Sequence, residues 1–513
     1  MNFTEYAALD ALGLADLVRN GEVSPAELLQ VATQAAGRIH DEFNILTHLA
    51  SDRPNALINE LSKQAIFAGV PFLVKDLMLP VKGMPMSNGC EAMRGFVSGS
   101  DSSMARLLHA SGLITFGKTT TSELGTKPLC VSDAFGETLN PWDKTYNSGG
   151  SSGGSSVAVA TGVIPMAYSS DGGGSIRVPA SYCGVFGFKP SSAINRFEDM
   201  SKAWGGAVVS HVTTRSVRDS AVYLDMTTGR VAPGMASHAS SPVQGSYLAS
   251  LYLPPKSLSI ALITESPIGT SVDQDCINAA DDAAALCQSL GHQVEAAQWN
   301  FDGKLLMRAF LTILLFYTHK DLVMMSASLG IPEKELAIEP GTRFLAMAGR
   351  GVTAERLSWA EMVLQDARQK MADMHKHYDL ILTPTVGREL QTSEALEPKG
   401  PEKWVLQLLI RTGLASKVMG NSVLDQAVIQ NLKMAPFTAI ANATGQPAMS
   451  VPLYWSDKGL PYGAHFMAAK GHDSVLFALA AQLERARPWQ DKRPQLHRVP
   501  ETSEEISDSV ALH

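Results

Sequence analysis

Short apolar runs, bounded by turns rich in glycine, proline or serine, recur along the whole chain. Runs of this length and spacing are typical of buried β-strands. The predicted strands are residues 70–74, 113–116, 163–168, 258–264, 380–383, 448–453 and 465–468. Apolar residues at helical spacing fill several of the segments between them. This alternation predicts an α/β fold with a large mixed, mostly parallel β-sheet that helices cover on both faces.

The start of one helix is marked clearly by its sequence. Ser24 suits the N-cap position, Pro25 suits the first helical position, and Glu27 can reach back to the cap. This pattern predicts a helix that begins at Pro25. Further helices are expected at residues 103–110 and 276–292, and most of residues 304–370 should be helical.

The composition is that of a globular protein with a large core. Hydrophobic residues make up 45% of the 513 residues and charged residues 18%, which is too little charge for a disordered chain. The net charge of −8 provides no positive field for a phosphate backbone, so nucleic acid is not an expected partner. The length permits one large domain or two closely packed domains.

The cysteines and the N-terminal residues indicate the cellular compartment. Five cysteines are widely spaced and form no C-x-x-C pair, which argues against a disulfide framework or a zinc site. The first residues lack the basic and apolar regions of a signal peptide. The longest apolar stretch, 309–317, is far shorter than the roughly 20 residues that cross a bilayer. We expect a cytoplasmic protein without a membrane span, and a disordered tail at residues 496–513.

Two glycine-rich stretches, residues 148–156 and 171–177, lie between apolar runs. A flexible linker would separate compact units, so these embedded positions disfavour a linker. Consecutive glycines allow several backbone N–H groups to converge on one point, as an anion or oxyanion site requires. Both stretches are therefore candidates for a functional site.

Two other motifs match the residue patterns of known sites, but the predicted strands around them do not lie where those sites require them. Residues 112–119 fit the phosphate-binding pattern G-x-x-x-x-G-K-T, yet the predicted strand lies inside the motif instead of before it. Residues 149–153 fit G-x-S-x-G, the nucleophile elbow of α/β-hydrolases, but no buried strand leads into Ser151. A Ser-His-Asp hydrolase still stays open as an interpretation. Its candidate bases are His211, His375 and His465.

Three motifs, taken in chain order, resemble those of the amidase signature family. They are Val74-Lys75-Asp76, residues 149–155 and residues 171–180. The resemblance extends over nearly all of residues 6–490, and further matching segments are 117–119, 140–142, 187–190, 382–385 and 445–448. Within the family, the C-terminal run from 450 to 484 is most similar to the hydrolases of nylon oligomers (6-aminohexanoate cyclic dimer).

The resemblance implies a fold as well as an activity. It implies the amidase signature fold, in a single domain over residues 1–495. The catalytic core of this domain would span about residues 70–215, and a mostly helical segment would span about residues 300–440. The implied activity is hydrolysis of an amide bond.

The resemblance also assigns roles to individual residues. Ser175 corresponds to the nucleophile of the family, Ser151 to a bridging serine that follows an unusual cis peptide bond, and Lys75 to the base. Backbone N–H groups would hold the oxyanion, and they belong to Gly172, Gly173, Gly174 and Ser175. Asp171 and Arg177 would stabilise this loop, with a surface ion pair as the alternative. No cofactor and no metal ion are expected.

The residue types at these positions are consistent with amide hydrolysis. Lys75 follows an apolar run, and burial would favour its neutral amine over the ammonium. A neutral Lys75 can accept the Ser151 proton while Ser151 takes the proton of Ser175, which attacks the carbonyl carbon.

Two other classes of protein stay open as interpretations of the sequence. One is a glutamine-dependent amidotransferase subunit, although its expected glutamine-binding segment is not found, and the other is a non-catalytic binding protein on the same fold.

The expected substrate is a small apolar, aryl or cyclic amide. Part of the helical region 304–330 is predicted to line or cover an acyl pocket, with packing in the core as the alternative. The residues concerned are Leu311, Leu314, Leu315, Phe316, Tyr317, Met324 and Met325. Either a monomer or a homodimer fits the sequence.

Overall fold

The computed structural model describes residues 1–195, 203–236, 242–253, 255–396 and 432–495, together with residues 400, 404, 408–410, 412 and 429. The predicted tail at 496–513 lies outside the described residues, and so does a large part of the helical segment predicted near 400–440.

The strands of the described residues are numbered in chain order. They are β1 (Leu46–Leu49), β2 (Pro71–Lys75), β3 (Ile114–Thr119), β4 (Val131–Ser132), β5 (Gly136–Glu137), β6 (Met166–Asp171), β7 (Phe186–Lys189), β8 (Val209–Thr214), β9 (Ser259–Leu262), β10 (Gln293–Ala296), β11 (Leu380–Pro384), β12 (Ala448–Trp455) and β13 (Pro461–Ala468). Eleven of them form one sheet in the order β1-β3-β2-β6-β8-β7-β12-β13-β11-β9-β10, and β4 pairs separately with β5.

Helices flank this sheet and connect many of its strands. In the described part of the chain they are α1 (Phe3–Ala8), α2 (Ala11–Asn20), α3 (Pro25–Phe43), α4 (Arg53–Asn59), α5 (Ser103–Ala110), α6 (Gly153–Ala160), α7 (Arg177–Cys183), α8 (Val217–Thr227), α9 (Tyr247–Ser250), α10 (Gln274–Ser289), α11 (Gly303–Leu329), α12 (Pro340–Gly349), α13 (Ala354–Met374), α14 (Thr438–Thr444) and α15 (Asp473–Ala486). The α/β fold class is therefore confirmed. None of the helices described is long and apolar enough to cross a membrane.

The sheet is mixed, as predicted, but parallel pairs do not predominate in it. Strands β3, β2 and β6 pair in parallel towards one edge, and β11, β9 and β10 do so at the other. The six other neighbouring pairs of the described strands are antiparallel, and five of them lie in the centre of the sheet. The prediction of a mostly parallel sheet was wrong because β12 and β13 form a hairpin and β8 runs against both of its neighbours.

Local signals in the sequence located several elements well. The Glu27 N–H donates to Ser24 Oγ at 3.2 Å, the Ser24 N–H donates to Glu27 Oε2 at 2.8 Å, and α3 begins at Pro25 as predicted. Helix α5 has the predicted bounds. Strand β3 lies inside the 112–119 motif, which confirms that this motif is not a phosphate-binding loop. Strand β6 begins three residues after the predicted start, because Gly162 turns the chain with φ 80° and Pro165 lacks a backbone donor.

Candidate active site

Lys75 is the last residue of β2, which lies between β3 and β6. Every residue of this strand is buried, so protein encloses the lysine side chain. The Lys75 Nζ lies 2.7 Å from Ser151 Oγ and 3.2 Å from Ser170 Oγ. Burial lowers the pKa of Lys75 to about 7, although the nearby Asp171 carboxylate favours the ammonium. Near neutral pH, a large fraction of Lys75 is therefore able to accept a proton.

Ser151 lies in a loop that passes very close to another backbone segment. A Cβ at Gly150 would be 2.4 Å from the carbonyl carbon of Leu129, so only glycine fits at this position. The Gly150–Ser151 peptide bond is cis. The Ser152 N–H donates to the carbonyl oxygen of Ser175 at 3.2 Å, which connects the loop to the segment that carries Ser175. Ser151 is thereby placed beside Lys75 and at the edge of the cavity described below.

Ser175 lies between the end of β6 and the start of α7. Unlike Ser151, which is 1% exposed, Ser175 is only partly buried. Within the described residues, the backbone N–H groups of Gly172, Gly173 and Ser175 have no acceptor. These three donors are free to bind a negatively charged oxygen, and their role as oxyanion donors stays a prediction.

Gly174 does not fit the predicted set of oxyanion donors. Its N–H donates to Asp171 Oδ1 at 2.7 Å, and the Ile176 N–H donates to Asp171 Oδ2 at 3.1 Å. Gly174 has φ 132°, and a Cβ there would lie 2.3 Å from Thr438 Oγ1. The prediction of Gly174 as an oxyanion donor was wrong because its N–H already serves to close the loop on Asp171. Its conformation and its contact with Thr438 explain why the position needs glycine.

Asp171 and Arg177 form a fully buried ion pair below this loop. The Arg177 Nε donates to Asp171 Oδ2 at 3.0 Å, and an Arg177 terminal nitrogen donates to Asp171 Oδ1 at 2.9 Å. The alternative of a surface ion pair is therefore excluded. Although burial opposes ionisation, the Arg177 guanidinium holds the pKa of Asp171 well below its usual range. The carboxylate thus remains charged and keeps its hydrogen bonds to the loop.

Two residues that the sequence did not single out, and one histidine that it suggested only as a base, complete the support of the loop. Asn442 donates to the carbonyl oxygen of Asp171 at 2.9 Å, and Thr438 donates to that of Gly173 at 2.8 Å. The third, His465, lies 2.9 Å from an Arg177 nitrogen. Thr438 and Asn442 are four residues apart on α14, which otherwise consists of alanine, isoleucine and threonine. Two polar residues on the same face of such a helix were the signal that could have identified them.

The three candidate histidine bases do not join Ser151. His211 is buried and its Nε2 lies 2.8 Å from Ser220 Oγ. His375 contacts the carbonyl oxygen of Tyr378 and the amide of Gln446. His465 lies between Arg177 and Thr383, and burial holds its pKa well below the usual range. None of these three histidines hydrogen-bonds to Ser151, so none supports the Ser-His-Asp interpretation.

A narrow cavity of about 20 Å³ connects the two serines. Among the residues that the structure describes, its lining consists of apolar, glycine and serine residues without a charged side chain. The lining residues are Leu77, Met78, Leu124, Gly125, Ser151, Ser170, Gly172, Ser175, Trp204 and Val208. The cavity suits an uncharged group.

Seven residues of region 304–330 were predicted to line or cover an acyl pocket, but the structure places them elsewhere. Most of the seven residues pack in hydrophobic clusters and none lines the cavity, while Met324 is 58% exposed. Helix α11 instead lies behind the loop that carries Trp204, where Ile313 and Trp204 belong to one cluster. Core packing, the alternative to a pocket lining, is therefore the main role of this region.

Comparison with known proteins agrees with this arrangement. The sequence model of the amidase family matches residues 27–477, which is most of the chain. The chain belongs to the amidase family. This amidase is 32% identical over 499 residues to the 6-aminohexanoate-cyclic-dimer hydrolase of Pseudomonas sp. (strain NK87), and the match covers 95% of this chain and 96% of the relative. It is 30% identical over 503 residues to the lipoamidase of Enterococcus faecalis, covering 96% of this chain and 66% of that protein.

Solved structures place the amidase in the same group. Its fold matches that of a 6-aminohexanoate cyclic dimer hydrolase with a TM-score of 0.84 and 29% identity, over 95% of this chain and 99% of that protein. The predicted resemblance to the nylon-oligomer subgroup is therefore confirmed, and the amidase is an enzyme that hydrolyses amide bonds. The two alternatives, an amidotransferase subunit and a non-catalytic protein, are not favoured because these similar proteins are named as hydrolases.

Proposed function

We propose that this amidase hydrolyses small uncharged amides through an ester between the acyl group and Ser175. The observation that carries the proposal is the contact of 2.7 Å between Lys75 Nζ and Ser151 Oγ. Burial holds the pKa of this lysine at about 7, and Ser151 lines the same cavity as Ser175. The neutral amine of Lys75 is therefore available near physiological pH. It can exchange a proton with Ser151, which lines the same cavity as Ser175.

In the first half of the reaction, neutral Lys75 accepts the proton of Ser151. Ser151 in turn accepts the proton of Ser175, whose oxygen attacks the carbonyl carbon of the amide. The N–H groups of Gly172, Gly173 and Ser175 donate to the oxyanion that forms. One such donor lowers the barrier by roughly 3 kcal/mol.

In the second half, Ser151 gives a proton to the nitrogen of the leaving amine, so that the C–N bond breaks, and Ser151 regains a proton from the Lys75 ammonium, which becomes neutral again. The acyl group remains as an ester of Ser175. Water then attacks this ester, and the same proton relay through Ser151 and Lys75 deprotonates the water and reprotonates Ser175. Asp171 and Arg177 hold the loop in place and do not exchange protons with the substrate.

The lining of the cavity supports an apolar, aryl or cyclic amide as the substrate. The described lining residues carry no charge, so a charged group beside the scissile bond would lose its hydration without gaining a partner among them. The similar cyclic dimer hydrolases are named for an uncharged cyclic amide of aliphatic chains. We therefore propose this class, with the cyclic dimer of 6-aminohexanoate as the first compound to test.

The test compares wild type with Ser175→Ala on two substrates, the cyclic 6-aminohexanoate dimer and hexanoyl p-nitroanilide. Ser156→Ala is the matched control, since Ser156 is a buried serine of α6 that does not line the cavity. We expect turnover of at least one substrate by wild type and by Ser156→Ala, and none by Ser175→Ala. Full activity of Ser175→Ala, or turnover of neither substrate by wild type, would contradict the proposal.

A location and an assembly state are also proposed for the protein. We propose a cytoplasmic location, since the described cysteines are free and buried thiols of the kind that a reducing compartment preserves. Assembly as a monomer or a homodimer, and the absence of a nucleic-acid partner, stay predictions.

A further inference from the structure

The space beside Gly172 is filled by the indole ring of Trp204. A Cβ at Gly172 would lie 2.7 Å from Trp204 Cζ3, 2.9 Å from Trp204 Cε3 and 3.2 Å from Val208 Cγ2. Real Cβ atoms do not approach ring carbons this closely, so a side chain at position 172 and this position of the ring exclude each other. Residues 171–175 are called the oxyanion loop below. Because position 172 of this loop is glycine, the indole ring of Trp204 has room to pack against it.

The surrounding structure fixes the ring in this place. Trp204 lies in the 3-10 turn Ala203–Gly206, where it has φ 49° and Gly205 has φ 66°. On the far side of this turn, Ile313 and Tyr317 of α11 come within 3.5 and 3.8 Å of the position that a Cβ at Gly205 would take. Helix α11 therefore backs the turn, and Trp204, which is 9% exposed, lines the same cavity as Ser175.

Trp204 is also the largest side chain among the described residues that line this cavity. The cavity volume is only about 20 Å³, and Leu77, Met78 and Leu124 supply the other large apolar side chains. In so narrow a space, the volume of one wall residue decides which substrate groups fit beside the scissile carbonyl.

We propose that the pair of Gly172 and Trp204 determines the specificity of this amidase, by restricting the group beside the scissile carbonyl to a slim, unbranched, uncharged chain. This inference rests on the proposed function, because it takes Ser175 as the nucleophile. Trp204 acts as a wall of the binding site and takes no part in proton transfer. The indole excludes substrates whose acyl group is branched or aromatic next to the carbonyl.

The test measures kcat/KM of wild type and Trp204→Ala for hexanoyl and benzoyl p-nitroanilides. Removal of the ring should raise the ratio of benzoyl to hexanoyl activity by about tenfold. The control is Trp359→Ala, which removes a tryptophan of the same hydrophobic cluster that does not line the cavity, and its ratio should stay that of wild type. Equal loss of both activities in Trp204→Ala, with no change of the ratio, would overturn the inference.

A second comparison tests the steric pair itself. Gly172→Ala should lower hexanoyl turnover because its Cβ displaces the ring, and adding Trp204→Ala should recover part of that turnover. A double variant no better than Gly172→Ala contradicts the inference.

Labelling by straight-chain and phenyl fluorophosphonates measures the same preference at Ser175 without amide turnover. An unchanged labelling ratio in Trp204→Ala overturns the inference alone. Wild type that neither turns over an anilide nor labels at Ser175 overturns the proposed function together with the inference.

Discussion

Two lysines at the ends of adjacent parallel strands are both completely buried, yet their surroundings differ. Lys75 ends β2, and Lys118 is the penultimate residue of β3. In the register of these strands, Lys118 lies beside Val74, so the two lysines point to opposite faces of the sheet. The face towards which each lysine points decides which groups it meets.

Lys75 meets hydroxyl groups, whereas Lys118 meets a carboxylate. The Nζ of Lys75 lies beside the hydroxyls of Ser151 and Ser170. The Nζ of Lys118 lies 3.7 Å from Asp76 Oδ1 and donates to the carbonyl oxygen of Leu79 at 2.9 Å. Burial lowers the pKa of both lysines, and at Lys118 the Asp76 carboxylate opposes this effect. Burial alone therefore does not identify a catalytic base, and the group that contacts the amine must be considered too. We expect a proton acceptor at Lys75, which contacts hydroxyl groups, and a structural cation at Lys118, which contacts a carboxylate.

The largest expected effect comes from replacing each lysine by methionine. Lys75→Met should lower kcat/KM by about 10³-fold with little change of stability, because it removes the base and leaves no charge without a partner. Lys118→Met leaves Asp76 buried without its cation and should lower the free energy of unfolding by about 3 kcal/mol. Its folded fraction should still turn over hexanoyl p-nitroanilide. Kinetics and urea unfolding of both variants check this, and equal loss of activity in both would remove the distinction.

Ser151→Ala should have the next largest effect. Without the Ser151 hydroxyl, Lys75 has no path to the Ser175 proton, and kcat/KM should fall by about 10²-fold. The matched control is Ser170→Ala, which removes the other hydroxyl beside Lys75 and should cost less. Steady-state kinetics of both variants decide the order, and a smaller loss in Ser151→Ala than in Ser170→Ala would contradict the relay.

The pH profile of wild type should show the protonation of Lys75. Below pH 7 the ammonium cannot accept a proton, so kcat/KM should fall by about tenfold per pH unit and should level off above pH 7. Burial also raises the pKa of Glu123 to about 7, and Glu123 is adjacent to the cavity residue Leu124. Glu123→Gln therefore serves as the control. The profile should survive in this variant, and its loss there would assign the titration to Glu123.

A smaller effect is expected from the residue that links two loops of the site. Asn442 donates to the carbonyl oxygens of Asp171 and Ala207, so it positions the oxyanion loop and the segment that follows Trp204. Asn442→Ala should lower kcat by about tenfold with KM nearly unchanged. Thr444→Ala, on the same helix but bonded to Ile440 and Gln446, should lower stability without this change in kcat. A loss confined to stability in both variants would make Asn442 merely structural.

The sequence predicted what depends on neighbouring residues and missed what depends on distant ones. The capping residues Ser24 and Glu27 act within one turn of helix, and α3 begins where they indicate. The bond from Asn442 to Asp171, by contrast, joins positions 271 residues apart, and no local pattern specifies such a contact. The N–H of Gly174 was taken as free because the sequence does not show that Asp171 folds back onto it.

The shape of the cavity also depends on residues that are far apart in the sequence, so it could not be predicted. Its narrow shape depends on Trp204, whose place is set by the left-handed backbone of its turn and by α11 behind it. The apolar residues of α11 were visible in the sequence, but their direction was not. The motifs around Lys75, Ser151 and Ser175 were enough to bring these residues to one site, because each motif carries its own glycines and strand ends.

The central claim, that Ser175 is the nucleophile activated through Ser151 and Lys75, is tested most directly by intact-mass spectrometry after reaction with an alkyl fluorophosphonate. Wild type, Ser175→Ala and Lys75→Met are compared at pH 8. The account predicts one added phosphonate on wild type, none on Ser175→Ala, and strongly slowed labelling of Lys75→Met. Labelling of Ser175→Ala at the rate of wild type would contradict it and place the nucleophile at another residue.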